Sequence, residues 1–216
     1  MSVGSHFVLI RQQQGLVPYL PTYQAMQNFT KHRDDETFDE IWLLEHGPVY
    51  TLGQTGRREH LIHTGNIPVH VVDRGGQVTY HGPGQLVAYV LMDVKRRHWT
   101  IKQLVYALEQ AVIDYLTTIP LRGERRDRAP GIYIQGQKLS SLGLRISRGC
   151  SYHGLSLNID MDLSPFSGIN PCGYTGLRMT QLHDLGINQS VRQITLDFLP
   201  YLLSTLDYSS FVWTVH

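Results

Sequence analysis

The longest helical signal in the chain begins behind Thr100. Apolar residues at Ile101, Leu104, Val105, Leu108, Ala111, Val112, Tyr115, Leu116 and Ile119 follow a 3.6-residue period, and a threonine stands at the N-cap position, so the spacing predicts a long amphipathic helix. Ser190 opens a second such stripe through Val191, Ile194, Phe198 and Leu202, with Pro200 expected to kink it. A third helix is expected from about Thr22 to His32, introduced by Pro21. The remaining apolar runs are short. FVLIR (7–11), IWLLEH (41–46), VYTLG (49–53), VHVVD (69–73), QVTYH (77–81) and QLVAYVLMD (85–93) read as strands, with Gly47-Pro48 as a turn signal between the second and third. GIYIQ (131–135), KLSSLGLRI (138–146) and SYHGLSLNI (151–159) read as a meander broken at Gly136 and at Arg148-Gly149. Clustered strands around a few long helices predict an α/β (α+β) domain with a mixed, mostly antiparallel sheet flanked by helices.

With 216 residues, 1–216 is expected to form one domain with a substantial core. Hydrophobic residues make up 42% and charged residues 17%, and no window approaches a membrane span, so no membrane partner is expected. The N-terminal MSVGSHFVLIRQQQG has no signal-peptide pattern, which predicts a cytoplasmic address. A formal net charge of +1 excludes the global basic field that would indicate nucleic acid. Charge is uneven locally: Arg57-Arg58, Lys95-Arg96-Arg97 and RGERRDR (122–128) are basic, while DDETFDE (34–40) is acidic. Such runs are usually solvated, but the basic ones also suit an acidic partner.

The chemistry begins with RGGQVTYHGPGQ (74–85), where four glycines and a proline interrupt strand-forming sequence. Glycine is costly in a strand, so this density points to positive φ or to close approach by another chain segment or a ligand. The two cysteines cannot form a disulfide framework and would be free thiols in a reducing compartment. Cys172, between Pro171 and Gly173, sits on backbone able to turn and expose it, whereas Cys150 abuts a strand and reads as a packed thiol. Reactivity would need a cation or base beside the sulfur. Lys138 opens a strand that turns apolar and small, and a lysine withdrawn from water can act as a base and activate a cysteine. His81 and His153, each in a Tyr-His-Gly triplet, leave a Cys-His hydrolase open, against the plainer reading of hydrogen-bonded wall residues. No metal-ligand spacing stands out among the 11 histidines, and neither GxxxxGK[ST] nor GxGxxG occurs, so no metal and no cofactor are expected.

Four stretches together, RGGQVTYHGPGQLVAY, GQKLSSLGLR, GLSLNIDMDLSPF and INPCGYTG, resemble the lipoyl(octanoyl) transferases of lipoate biosynthesis, within the biotin/lipoate protein ligase fold family. The resemblance spans roughly residues 40 to 185, with Ser140 and Ser156 standing where alanine is common. It implies transfer of an octanoyl group from octanoyl-acyl carrier protein to a lysine of lipoyl domains in 2-oxoacid dehydrogenase E2 subunits or the glycine cleavage H protein. It also implies Cys172 as the acyl-accepting nucleophile and Lys138 as the group that eases loss of its proton. Arg74, Gly75, Gly76, Gln77, Val78, Thr79, Tyr80 and His81, then Ser141, Leu142 and Gly143, then Gly154, Leu155 and Ser156, would be the substrate-binding segments. Arg74-Gly75-Gly76 and Tyr80-His81-Gly82 would then be walls of an acyl tunnel, their glycines letting backbone lie against the alkyl chain. Transfer from a thioester needs no ATP, and a monomer is expected. The competing readings are an ATP-dependent lipoate or biotin ligase, a non-catalytic acyl-carrier-binding module, and a Cys-His thioesterase.

Overall fold

The computed structural model describes residues 6–171 and 176–216. Among these described residues, eleven strands and three α-helices appear in the order β1 (Phe7–Val17), α1 (Tyr19–His32), β2 (Asp39–His46), β3 (Val49–Leu52), β4 (Val69–Val71), β5 (Val78–His81), β6 (Gln85–Leu91), α2 (Ile101–Leu116), β7 (Glu124–Arg125), β8 (Gly131–Ile134), β9 (Gln137–Ser147), β10 (Cys150–Asn158), α3 (Val191–Thr205) and β11 (Ser210–Val215). Eight strands form one sheet, ordered β11-β1-β2-β6-β10-β9-β8-β7, and the other three form a small sheet, β4-β3-β5. In the large sheet β1 pairs in parallel with β11 and β2, and the remaining pairs are antiparallel.

Both faces of the large sheet are covered, which is why central strand β6 is apolar without interruption from Leu86 to Leu91. Every residue of β6 is buried. Leu86, Ala88 and Val90 turn to the face packed by α2 and α3, together with Ile41 and Leu43 of β2. Val87, Tyr89 and Leu91 turn to the other face, where α1 contributes Met26 beside Trp42, Leu44 and Tyr152. The small sheet lies over that second face with its own core of Tyr50, Leu52, Val78, Tyr80 and Phe166.

The predicted helices form, with shifted bounds. Thr100 and Gln103 complete a reciprocal capping box at the start of α2. Helix α1 starts three residues before Thr22, because Tyr19, Thr22, Met26 and Thr30 make a buried stripe that extends its first turn. Helix α3 continues through Pro200 to Thr205. Pro200 and Leu196 both lie on the exposed side, so the carbonyl deprived of its helical donor faces water. Gly47-Pro48 does not close a hairpin: β2 belongs to the large sheet and β3 to the small one, and this dipeptide carries the chain between layers. Strand β11, not anticipated, pairs along β1 from Ser210 to Val215.

One buried carboxylate ties four segments together. Asp39, wholly buried at the start of β2, accepts from Arg33 at 2.7 Å, Arg96 at 2.8 Å, the Asp93 amide at 2.8 Å and the Tyr208 hydroxyl at 2.8 Å. Removing one partner of such a cluster strands charge in a place water cannot reach. Asp39→Ala should therefore cost roughly 3–5 kcal/mol, and Tyr208→Phe only about 1 kcal/mol, both read as shifts in urea unfolding.

Candidate active site

The face of the large sheet opposite α2 and α3 carries a narrow slot. Its floor is laid by register: Tyr89, Gly154 and Gly143 stand side by side across β6, β10 and β9, and Val87, Ser156 and Ser141 form the next row. Its roof is the 74–77 loop with Thr79 and His81 of β5, and Tyr19, Leu142, His153, Leu155 and Val78 complete the lining. The slot offers about 60 Å³ to the centres of water molecules, room for several waters in single file rather than a wide chamber. From Lys138 to Gly143 along β9 the floor runs roughly 15 Å at strand rise.

Lys138 reaches the slot because β9 carries a bulge. Tyr133 pairs with Lys138 and Ile132 with Ser140, so one residue of β9, Leu139, is extra at this point. Strict alternation from Ser141 would turn residue 138 toward the α2 face; the extra residue reverses its sense, putting Leu139 into the apolar core and Lys138 on the slot side. The lysine is 1% exposed. Its Nζ donates to Pro130 O at 2.9 Å and lies 5.3 Å from the centroid of Tyr133. Gly131, across the ladder, makes the space: at φ +130 a Cβ there would come within 2.7 Å of Lys138 Cε. Gly131 was not anticipated from sequence, where it reads only as the first residue of a strand.

Arg74 frames the roof. Its buried guanidinium donates to Thr51 O at 2.7 Å, Gln77 O at 2.8 Å, Gly75 O at 2.9 Å and Thr51 Oγ1 at 2.8 Å, drawing the 74–77 loop into a closed curl on β3. The loop then lands on β9, where Gly75 N–H donates to Leu144 O at 2.8 Å. A side chain at Gly143 would meet Gly75 O at 2.9 Å and Arg74 Cδ at 3.2 Å. At that position the bare backbone thus accommodates the protein's own loop.

The two histidines are held neutral by burial. A hydrogen-bond chain sets the tautomer of His81: Asn158 Nδ2 donates to Thr180 O, Gln85 Nε2 donates to Asn158 Oδ1, and Gln85 Oε1 is left to accept from His81 Nδ1–H at 2.7 Å. Thr180 N–H in turn donates to Lys138 O at 3.0 Å, so the same chain is anchored beside the lysine. Burial, reinforced by nearby His46, pulls His81 down to about 3, and burial pulls His46 to about 4. His153, at φ +62 inside β10, donates Nε2–H to Asp73 Oδ1 at 3.1 Å. Burial lowers His153 in spite of that carboxylate. Asp73 loses some water as well, but bonds from His153, Tyr152 and Tyr23 outweigh this and hold it well below the carboxylate range.

Of the residues expected to bind substrate, Arg74, Gly76, Gln77, Val78, Thr79, His81, Ser141, Leu142, Gly143, Gly154, Leu155 and Ser156 line the slot together with Lys138. Gly75 lines an adjoining groove. Tyr80 turns away: it packs against Tyr50 and Phe166 at centroid distances of 5.4 and 5.5 Å in the small-sheet core, because it alternates with Thr79 and His81 along β5. Cys172 lies outside the described residues. Cys150 is buried at the start of β10, where burial pushes its thiol up. Tyr19, Tyr89 and Val87 line the slot without having been singled out; Tyr89 and Val87 alternate toward that face in β6, whereas Tyr19 arrives from α1.

Gly131→Ala should push Lys138 out of place, lowering turnover by roughly 10–100-fold while costing about 1–3 kcal/mol of stability; a variant of full activity and unchanged unfolding midpoint would contradict the geometry. The buried neutral imidazoles also set an acid limit. Because the folded values of His46 and His81 lie below the unfolded 6.5, the unfolded chain binds more protons as pH falls. Stability from this source is complete above about pH 6.5 and declines through pH 5 toward 4, by up to about 1.4 kcal/mol per pH unit per histidine. Urea titrations between pH 7.5 and 4.5 should show a shallower acid slope for His46→Gln than for the wild type.

Comparison with known proteins places this geometry. Residues 18–200 match the family described as Lipoyl protein ligase A/B catalytic domain. The chain is 58% identical over 185 residues to an octanoyltransferase of Thiobacillus denitrificans, covering 86% of this chain and 85% of that one. It is 55% identical over 199 residues to an octanoyltransferase of Azoarcus sp. strain BH72, covering 92% and 88%. Among solved structures, the bipartite lipoate protein ligase of Thermoplasma acidophilum superposes with a TM-score of 0.75 at 14% identity, over 97% of this chain and 88% of that one, a likeness of fold. With most of its length matched by that catalytic domain, and with a mixed sheet of the same shape, the chain belongs to the lipoyl protein ligase A/B catalytic domain family.

Proposed function

We propose that the chain is a single-domain cytoplasmic octanoyltransferase that moves an octanoyl group from octanoyl-acyl carrier protein to a lysine of lipoyl domains. The observation that carries this reading is a lysine sealed from water at one end of a slot narrow enough for an unbranched chain. Relatives named octanoyltransferase over most of the chain support it. Among the described residues no helix is long and apolar enough to cross a membrane.

In this reading Cys172 gives its thiol proton to the amine of Lys138, and the thiolate attacks the donor's thioester carbonyl. The tetrahedral adduct collapses as the carrier thiol departs with the proton returned by Lys138. The acceptor amine then attacks the enzyme thioester, Lys138 takes the amine proton and returns it to the leaving Cys172 sulfur. The product is an amide. Thioester exchange is near balance and amide formation runs downhill, so the sequence requires no ATP. Burial of Lys138 serves it by keeping solvent out of the proton exchange. The expected acceptors are lipoyl domains of 2-oxoacid dehydrogenase E2 subunits and the glycine cleavage H protein.

Intact-mass spectrometry after mixing the protein with octanoyl-acyl carrier protein should show one octanoyl adduct in the wild type and in Cys150→Ala, none in Cys172→Ala, and discharge on adding an apo lipoyl domain. Lys138→Ala should slow adduct formation by roughly 10²–10⁴-fold. Acylation of a lipoyl domain by free octanoate with ATP, with no adduct from the carrier thioester, would instead identify a ligase.

A further inference from the structure

A second groove adjoins the slot. The two share Gly76, Gln77, Leu142 and Gly143, so they meet around the edge of β9 where the 74–77 loop lands. Both lead to the same lysine, since Pro130, whose carbonyl accepts from Lys138 Nζ at 2.9 Å, lines the groove. The groove is far roomier, with about 360 Å³ open to water centres against 60 Å³ in the slot. Its chemistry is mixed. Ile101 and Val105 of α2 supply an apolar wall, and exposed Thr55 and Arg128 supply polar groups.

Along one side runs the part of β9 that extends past its partner β8. Strand β9 continues to Ser147, but its pairing with β8 ends at Gly131 opposite Ser141. Leu142 and Leu144, just beyond, line the groove, and Leu144 O accepts the Gly75 amide, so the polar groups of this backbone edge point outward. Such an edge accepts further amides by strand-like pairing. Arg128 sits at φ +56 at the end of the basic 122–128 run. Among the described residues its one ion pair, Nε to Asp127 Oδ2 at 3.7 Å, is between two side chains about nine-tenths exposed, a pairing that solvent weakens. The guanidinium is thus able to turn to another anion.

An occupant that fits must be thin, carry amides beside an aliphatic stretch, and end in a phosphate, while its other end reaches Lys138. Resting on the octanoyl-thioester reading above, we propose that this groove binds the phosphopantetheine arm of the donor, with the arm's amides along the β9 edge, its dimethyl segment against Ile101 and Val105, and its phosphate on Arg128. The acyl chain in the slot and the arm in the groove then diverge from the thioester at Lys138.

The test compares octanoyl-phosphopantetheine, octanoyl-pantetheine and octanoyl-N-acetylcysteamine as donors to an apo lipoyl domain, in wild type, Ile101→Trp and Arg128→Ala, with thermal unfolding as the check on folding. Wild-type kcat/KM should fall along that series. Arg128→Ala should reduce the phosphorylated donor about tenfold relative to the other two. Ile101→Trp should compress the preference for both pantetheine donors over the truncated one. Equal use of the three donors by the wild type, or equal losses for all three in both variants, would overturn the assignment. So would variants that raise KM for the lipoyl domain alone, which would give the groove to the acceptor. If the wild type used no thioester, the octanoyltransferase reading would fail first, and calorimetry with free phosphopantetheine would judge the groove by itself: no heat in the wild type removes it.

Discussion

The slot exists because a guanidinium is buried. Arg74 lies between the two sheets, and leaving it there without partners would cost several kcal/mol, so the 74–77 loop must turn its carbonyls inward. That requirement, with Thr51 offering two more acceptors from β3, fixes the loop against the small sheet. The loop can then sit on the large sheet only where β9 presents no side chain, at Gly143. Roof and floor are therefore joined at one edge and held apart elsewhere by the slot.

The second determinant is a departure from regular pairing. A sheet buried on both faces normally leaves no room for an ammonium, since every residue points either into the α2–α3 core or into the opposing layer. The extra residue in β9 sends Leu139 to the first and Lys138 to the second. Gly131 at φ +130 vacates the space the lysine stem occupies. Around it, the chain of amides from Thr180 through Asn158 and Gln85 to His81 satisfies the buried polar groups without introducing a second charge. Burial holds the histidines of the slot wall neutral.

Much of this was legible along the chain. The capped, 3.6-periodic stretches behind Thr100 and Ser190 could be nothing but helices, because local propensity, cap and pattern agree. The apolar run at 85–93 reads as a strand, as β6 is. The glycine-rich 74–85 segment and the Lys138 strand could be marked as chemistry-bearing, since their residue types are expensive where they stand. Less legible was the direction of each side chain. Tyr80 and His81 are neighbours of similar size in one motif, yet one enters a core and the other the slot, a matter of alternation relative to a layer that the sequence does not display.

What the sequence by itself determined was the inventory: the helices and most of the strands, the residue types that stand out chemically, and that they recur in the order of one family. Those properties depend on neighbours three or four positions away, or on residue type alone. Tertiary structure decided the rest. The division of β2 and β3 between two sheets, the pairing of β11 with β1 some 200 positions upstream, the landing of Gly75 on Leu144, and the bulge that aims Lys138 depend on contacts between distant segments. Their energies come from burial and from completing hydrogen bonds across layers, terms that acquire a value only when the layers meet.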